Sequence, residues 1–149
     1  KLNIKDYPCP AGGCLLTDPE FAKRIKDLLA YGELNLNNVE LLKIGRHFRF
    51  SPLAKLVVGR NELENARLVN LAEVNDYLFM PADIAGPTAL GRGDFSDDLI
   101  NLALSITCYY CDLDGKKDAD IVYRKISDKQ EKVLCVLPLE QENLTGLKI

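Results

Sequence analysis

The run Phe48-Arg49-Phe50-Ser51-Pro52-Leu53-Ala54-Lys55-Leu56-Val57-Val58-Gly59-Arg60-Asn61-Glu62-Leu63-Glu64 decides the fold. Phe48 and Phe50 alternate with Arg49 in the period-two pattern of a strand, Pro52-Leu53 turns the chain, and residues 55–58 read as a second strand that closes a hairpin. Gly59-Arg60-Asn61 then opens a helix. Asn61 and Glu64 have the spacing of a capping box, and Leu63, Ala66, Leu68 and Leu71 supply its apolar positions.

Downstream, residues 76–80 form a strand, and Pro81, Gly86, Pro87, Gly91 and Gly93 mark a long constrained loop with a short strand at 88–90. Ser96 caps a helix in which Leu99, Leu102, Ala103, Ile106 and Tyr110 recur three or four residues apart, the stripe of a core helix. Residues 121–126 and 132–137 pair as strands around Ser127-Asp128-Lys129, and the tail from residue 140 is loose or edge-packed. Upstream, Asp18-Pro19 starts a helix carrying Phe21, Ile25, Leu28 and Leu29 as far as Gly32. Asn37 with Glu40 starts a shorter one through Leu41, Leu42 and Ile44, ended by Gly45. The expected architecture is α+β: a helical lead-in followed by a mixed or antiparallel sheet with two main helices. Its divisions are a Gly/Pro-punctuated leader at 1–17, a helical linker at 18–47, the α+β domain at 48–139 and a tail at 140–149.

The chain has 149 residues, 47% apolar and 28% charged, enough for one globular domain and an appendage. A formal net charge of −3 excludes a uniformly basic nucleic-acid binder but not a basic face. Between Leu41 and Asn61 stand Lys43, Arg46, Arg49, Lys55 and Arg60, with His47 besides and no acid, which leaves −8 for the remainder. Cations interleaved with Phe48 and Phe50 suit a phosphate backbone with base stacking, and Arg60 beside a helix N-terminus is placed to hold a phosphate. The competing reading is a strand edge protected by charge. The charge-free stretch at 99–111 is far short of the ~20 residues that span a bilayer, and no signal-peptide pattern precedes it, so no membrane partner is expected.

Five cysteines, an odd number without secretory features, point to a reducing, cytoplasmic setting. Cys9 and Cys14 flank Gly12-Gly13 just ahead of a helix start, where close backbone N–H groups favour a thiolate. Cys108 and Cys111 have half-zinc-site spacing but sit inside a helix without a knuckle glycine, so they read as structural, with a metal site as the alternative. Cys135, between Val and Leu in a strand, reads as core. His47 belongs to the basic patch rather than to a catalytic pair, because no nucleophile stands near it. Asp112-Leu113-Asp114-Gly115 with Asp118 and Asp120 is a polar turn, since its glycine and closing residue are misplaced for a calcium loop.

Two resemblances add to these readings. Ala11-Gly12-Gly13-Cys14-Leu15-Leu16-Thr17-Asp18-Pro19-Glu20-Phe21, followed by Ala22-Lys23-Arg24-Ile25, resembles the segment carrying the second catalytic cysteine of PP-loop tRNA thiouridine synthetases, long labelled tRNA (5-methylaminomethyl-2-thiouridylate)-methyltransferases. That resemblance implies that Cys14 carries or releases persulfide sulfur, with Cys9 as a resolving partner. It further implies an ATP-dependent tRNA sulfurtransferase, with tRNA and a sulfur-donor protein as partners. The Ser-Gly-Gly-x-Asp-Ser loop that would bind ATP does not occur here, so the chain reads as the C-terminal part of a longer enzyme, inactive alone and holding no cofactor or metal itself. Second, Lys55-Leu56-Val57-Val58-Gly59-Arg60-Asn61-Glu62-Leu63-Glu64-Asn65, then Asn75-Asp76-Tyr77-Leu78-Phe79 and Asp83-Ile84-Ala85-Gly86, resembles the RNA-binding domain of NFACT-type ribosome-quality-control proteins. The chain departs from that pattern at Leu78, Met80 and Pro87-Thr88, where a Trp, a His and Ser-His are expected. The candidate RNA-binding residues are Lys43, Arg46, His47, Arg49, Lys55, Arg60 and Asn61. The rival function is a non-catalytic RNA- or ribosome-binding module whose cysteines are structural or bind metal.

Overall fold

A computed structural model describes residues 18–149, which fall into two compact units divided between Lys43 and Ile44. In the first, helix α1 (Pro19–Tyr31) packs on α2 (Leu36–Leu42), with Phe21, Leu28 and Leu42 buried between them. Asp18 caps α1 by accepting from the Glu20 amide at 3.0 Å. The cap of α2 is Asn35, not the Asn37 of the expected capping box: its side chain accepts from the Asn38 amide at 2.8 Å. Arg24 Nη1, midway along α1, donates to the carbonyl of Leu42 at the end of α2 at 3.0 Å and ties the two helices together.

The second unit, Ile44–Lys148, is an α+β fold around a six-stranded antiparallel sheet, as the sequence pattern implies. Its strands are β1 (Arg46–Ser51), β2 (Ala54–Val58), β3 (Tyr77–Pro81), β4 (Ala89–Gly93), β5 (Ala119–Lys125) and β6 (Lys132–Val136), in the spatial order β1-β2-β4-β3-β5-β6. Helix α3 (Glu62–Leu71) links β2 to β3, α4 (Asp97–Tyr109) links β4 to β5, and α5 (Gln141–Leu147) follows β6. Strand alternation sends Phe48, Leu56, Val58, Phe79, Ala89 and Ile121 to one face, where they pack on Ala103, Leu104, Ile106 and Cys108 of α4 and Leu144 of α5. The opposite parity sends His47, Val57, Leu90 and Leu78 to the other face, where α3 packs against β4 and buries Leu68.

Two local expectations change and a third is narrowed. The run 89–93 is a full strand rather than mostly loop, because it pairs with β2 on one side and β3 on the other, and Gly91 leaves the room that the Phe95 and Phe79 rings take, where a Cβ would come within 2.8 Å of Phe95. The tail from residue 140 takes the edge-packed form of its two expected ones: α5 buries Leu144, and Lys148 bridges Phe48 at the β1 edge. Cys135 is exposed rather than core, because β6 is the other edge of the sheet and Cys135 lies opposite Asp120, on the face away from Ile121. No helix among the described residues is long and apolar enough to cross a membrane.

A polar knot holds the α3–β3 loop against β4. Arg92 donates from Nε to Asp76 Oδ1 at 3.1 Å and from Nη2 to Oδ2 at 2.6 Å and the Leu71 carbonyl at 3.1 Å. Asp76 also accepts the Glu73 amide at 2.8 Å, and its carbonyl accepts from Ile126.

Candidate nucleic-acid interface

A cleft of about 300 Å³ opens between the β2–α3 turn, the loop before β4 and the C-terminal end of α4. Arg46, Arg60, Asn61, Asn65, Gly86 and Tyr110 are among its walls. The turn is shaped by close approach. A Cβ on Gly59 would collide with the Asn65 side chain, and that same Asn65 Oδ1 accepts from the Thr88 amide at 3.0 Å while Gly59 N donates to the Thr88 carbonyl at 2.9 Å. Gly59, Asn61 and Asn65 therefore form one built corner, with Asn61 capping α3 through the Glu64 amide at 2.9 Å.

Two arginines face this corner in different states. Arg60 is clamped: Nε and Nη2 reach Glu64 at 3.0 and 2.8 Å, and its own amide also donates to Glu64. The Arg60 guanidinium holds the Glu64 carboxyl down from its ordinary 4.5 to about 2, against the upward push of burial and with help from the Arg60 and Gly45 amides. A carboxyl depressed on folding stabilises the native state above its unfolded pKa, near 4.5, and that contribution drains away as pH falls toward about 2. In urea titrations at a series of pH values, wild type is expected to exceed Glu64→Gln in midpoint at neutral pH. The two should converge as pH falls through this window; a constant gap would contradict the assignment.

Arg46 is held differently. Its guanidinium lies 4.3 Å from the centroid of the Tyr110 ring, and Nη1 donates to the Gly59 carbonyl at 3.3 Å. Among the described residues no carboxylate pairs with it. Phe48 backs the Tyr110 ring at 6.3 Å, so the platform is anchored in the core. Burial pushes the Tyr110 hydroxyl up, and Arg46 pulls it back.

The structure thus gathers Arg46, Arg60 and Asn61 and separates the other candidates. Arg49 and Lys55 pair across β1 and β2 on the opposite face from Phe48. Lys55 is only 7% exposed and His47 1%, with His47 Nε2 2.9 Å from the Ile44 carbonyl oxygen, so neither belongs to a surface patch. Strand parity separates Arg46 from Arg49, a division that a count of cations along the sequence does not see. Lys43 lies in the first unit, paired with Glu40 at 3.2 Å. Cys9 and Cys14 lie outside the described residues. Cys108 and Cys111 are buried in and just after α4, where they reach the Val136 and Thr107 carbonyls. Burial raises both thiols, Cys111 to about 11, so they remain protonated at neutral pH.

A family model described as the NFACT protein RNA binding domain matches residues 45–146, which contain the whole cleft. The chain belongs to the NFACT RNA-binding family. The NFACT resemblance of the Gly-Arg-Asn, Asn-Asp-aromatic and Asp-x-x-Gly segments is therefore borne out, and the domain's partner is RNA. The NFACT-type fold also resembles the C-terminal part of the fibronectin/fibrinogen-binding protein from Streptococcus suis, with a TM-score of 0.61 and 15% identity over 85% of this chain and 70% of that one. At that identity the likeness speaks for the fold. No curated protein matches the sequence.

Proposed function

We propose that this NFACT-type domain grips tRNA at the Arg46–Tyr110 platform, as the RNA-holding part of an ATP-dependent tRNA sulfurtransferase in which Cys14 handles activated sulfur. The observation that carries the grip is the cation stacked on Tyr110 with no acid paired to it among the described residues, at the mouth of a cleft in an RNA-binding fold. A guanidinium in that position offers charge to a phosphate and a flat surface to an unstacked base. The amide nitrogen of Asn65 adds a donor on the cleft wall, since its Oδ1 is taken by Thr88.

The sulfur-transfer half rests on the sequence around Cys14. ATP adenylates the uridine carbonyl oxygen with loss of pyrophosphate, the terminal sulfur of a Cys14 persulfide attacks that carbon, and AMP leaves with the oxygen; the Cys9 thiolate then attacks the Cys14 sulfur and breaks the S–S bond, so that the sulfur stays on the uridine and the two cysteines end as a disulfide. A PP-loop for ATP is not among these 149 residues, so the proposal assigns it to another part of the enzyme. In the full-length protein, Cys14→Ala is expected to abolish 2-thiouridine formation, read by mass spectrometry of digested tRNA, while leaving tRNA affinity unchanged. Retained thiolation would remove Cys14 from the reaction and leave the RNA grip standing.

A further inference from the structure

We infer that the outer edge of β6 pairs antiparallel with β6 of a second copy of this chain, with Cys135 on the two-fold axis. The two edges of the sheet are finished differently. At β1, Lys148 bridges Phe48 and occupies part of the edge. At β6, among the described residues, no strand pairs on the side away from β5. An open edge presents a row of N–H and C=O groups to any strand of matching shape, and natural edges are usually blunted by proline, charge or a bulge. Strand β6 carries one lysine, at its first position, and no proline. Val133 is 54% exposed, Leu134 41% and Leu137 63%, and Cys135 is exposed as well.

The occupant follows from the residues themselves. Val133-Leu134-Cys135-Val136-Leu137 is an apolar run centred on Cys135. Antiparallel self-pairing about that centre sets Val133 against Leu137, Leu134 against Val136 and Cys135 against Cys135, so each apolar residue of one copy meets an apolar residue of the other. A shift of two residues either way sets Lys132 against Val136 or Leu134 against Pro138 and gives up that match. A pairing of about five residues on each strand is smaller than a standard-size protein interface, and the dimer is therefore weak and reversible.

Residues directly opposite in an antiparallel pair have Cα atoms about 4.5 or 5.5 Å apart, so two Cys135 thiols lie within reach of a short bismaleimide. With the intact chain carrying Cys9→Ser and Cys14→Ser, the expected results are a concentration-dependent dimer by sedimentation and a cross-linked dimer that disappears with Cys135→Ser. Val133→Lys with Leu137→Lys, both at exposed positions, should leave the thermal melt unchanged and lower the cross-linked fraction about tenfold by setting lysine against lysine. Mixing that variant with Val133→Glu, Leu137→Glu chains should restore cross-linking between the two. A monomer at every concentration, a cross-link that survives Cys135→Ser, or a dimer indifferent to the double lysine change would each overturn the pairing and leave the β6 edge to a different partner.

Discussion

Asp76→Ala is expected to destabilise the domain by about 3–5 kcal/mol, because it strands Arg92 in the interior without its carboxylate. The Asp76 side chain is 4% exposed and that of Arg92 15%, and together they close the α3–β3 loop onto β4 through three contacts of 2.6–3.1 Å. Glu73 stands 3.6 Å from the same guanidinium but is 56% exposed, too solvated to replace the lost partner. Urea denaturation measures the loss directly. Asp76→Leu combined with Arg92→Met should recover most of it, since an apolar pair avoids the desolvation cost that one isolated charge incurs. A loss within about 0.5 kcal/mol for Asp76→Ala, the range of surface substitutions, would mean that the knot is solvated and contributes little.

The second large effect falls on RNA binding. Arg46→Ala removes both the charge and the stacking plane, and an affinity loss of about 1–3 kcal/mol is expected for a cation that also carries a base. Tyr110→Leu should lower affinity in the same direction, because the guanidinium loses the ring 4.3 Å beneath it, whereas Tyr110→Phe keeps the ring and should bind nearly as wild type. Lys55→Ala serves as the contrast: at 7% exposure its expected cost is to folding, with affinity per folded molecule unchanged. Filter binding or anisotropy on the same tRNA distinguishes the four variants.

The sheet was readable because its hairpin and helix starts are punctuated by residues with a specific local role. Asn61 accepts the Glu64 amide and Ser96 the Leu99 amide, as capping patterns imply. Where residues answered to distant partners, the sequence misled. Gly91 looked like loop, yet its missing side chain makes room for Phe95, four positions along but packed back across the strand. Val-Leu-Cys-Val-Leu reads as a core strand because periodicity reports composition, while burial at β6 is set by the absence of a neighbour on its outer side among the described residues. The cation-rich stretch was visible as charge, but which cations share a surface depends on strand parity and on Tyr110, fifty positions and more away, and neither is encoded in the spacing of the arginines. The Arg92–Asp76 pair carries no local signature either, being a contact across β4 and the α3–β3 loop.

The most direct measurement is the salt dependence of tRNA affinity for wild type and Arg46→Ala. If Arg46 holds a phosphate at the cleft, log affinity against log salt should flatten by about 0.7–0.9 in the variant, the counterion release of one lost contact, with the two lines meeting at high salt. Parallel lines with equal affinities would show that this guanidinium never meets RNA, and the cleft beside Tyr110 would not be the grip.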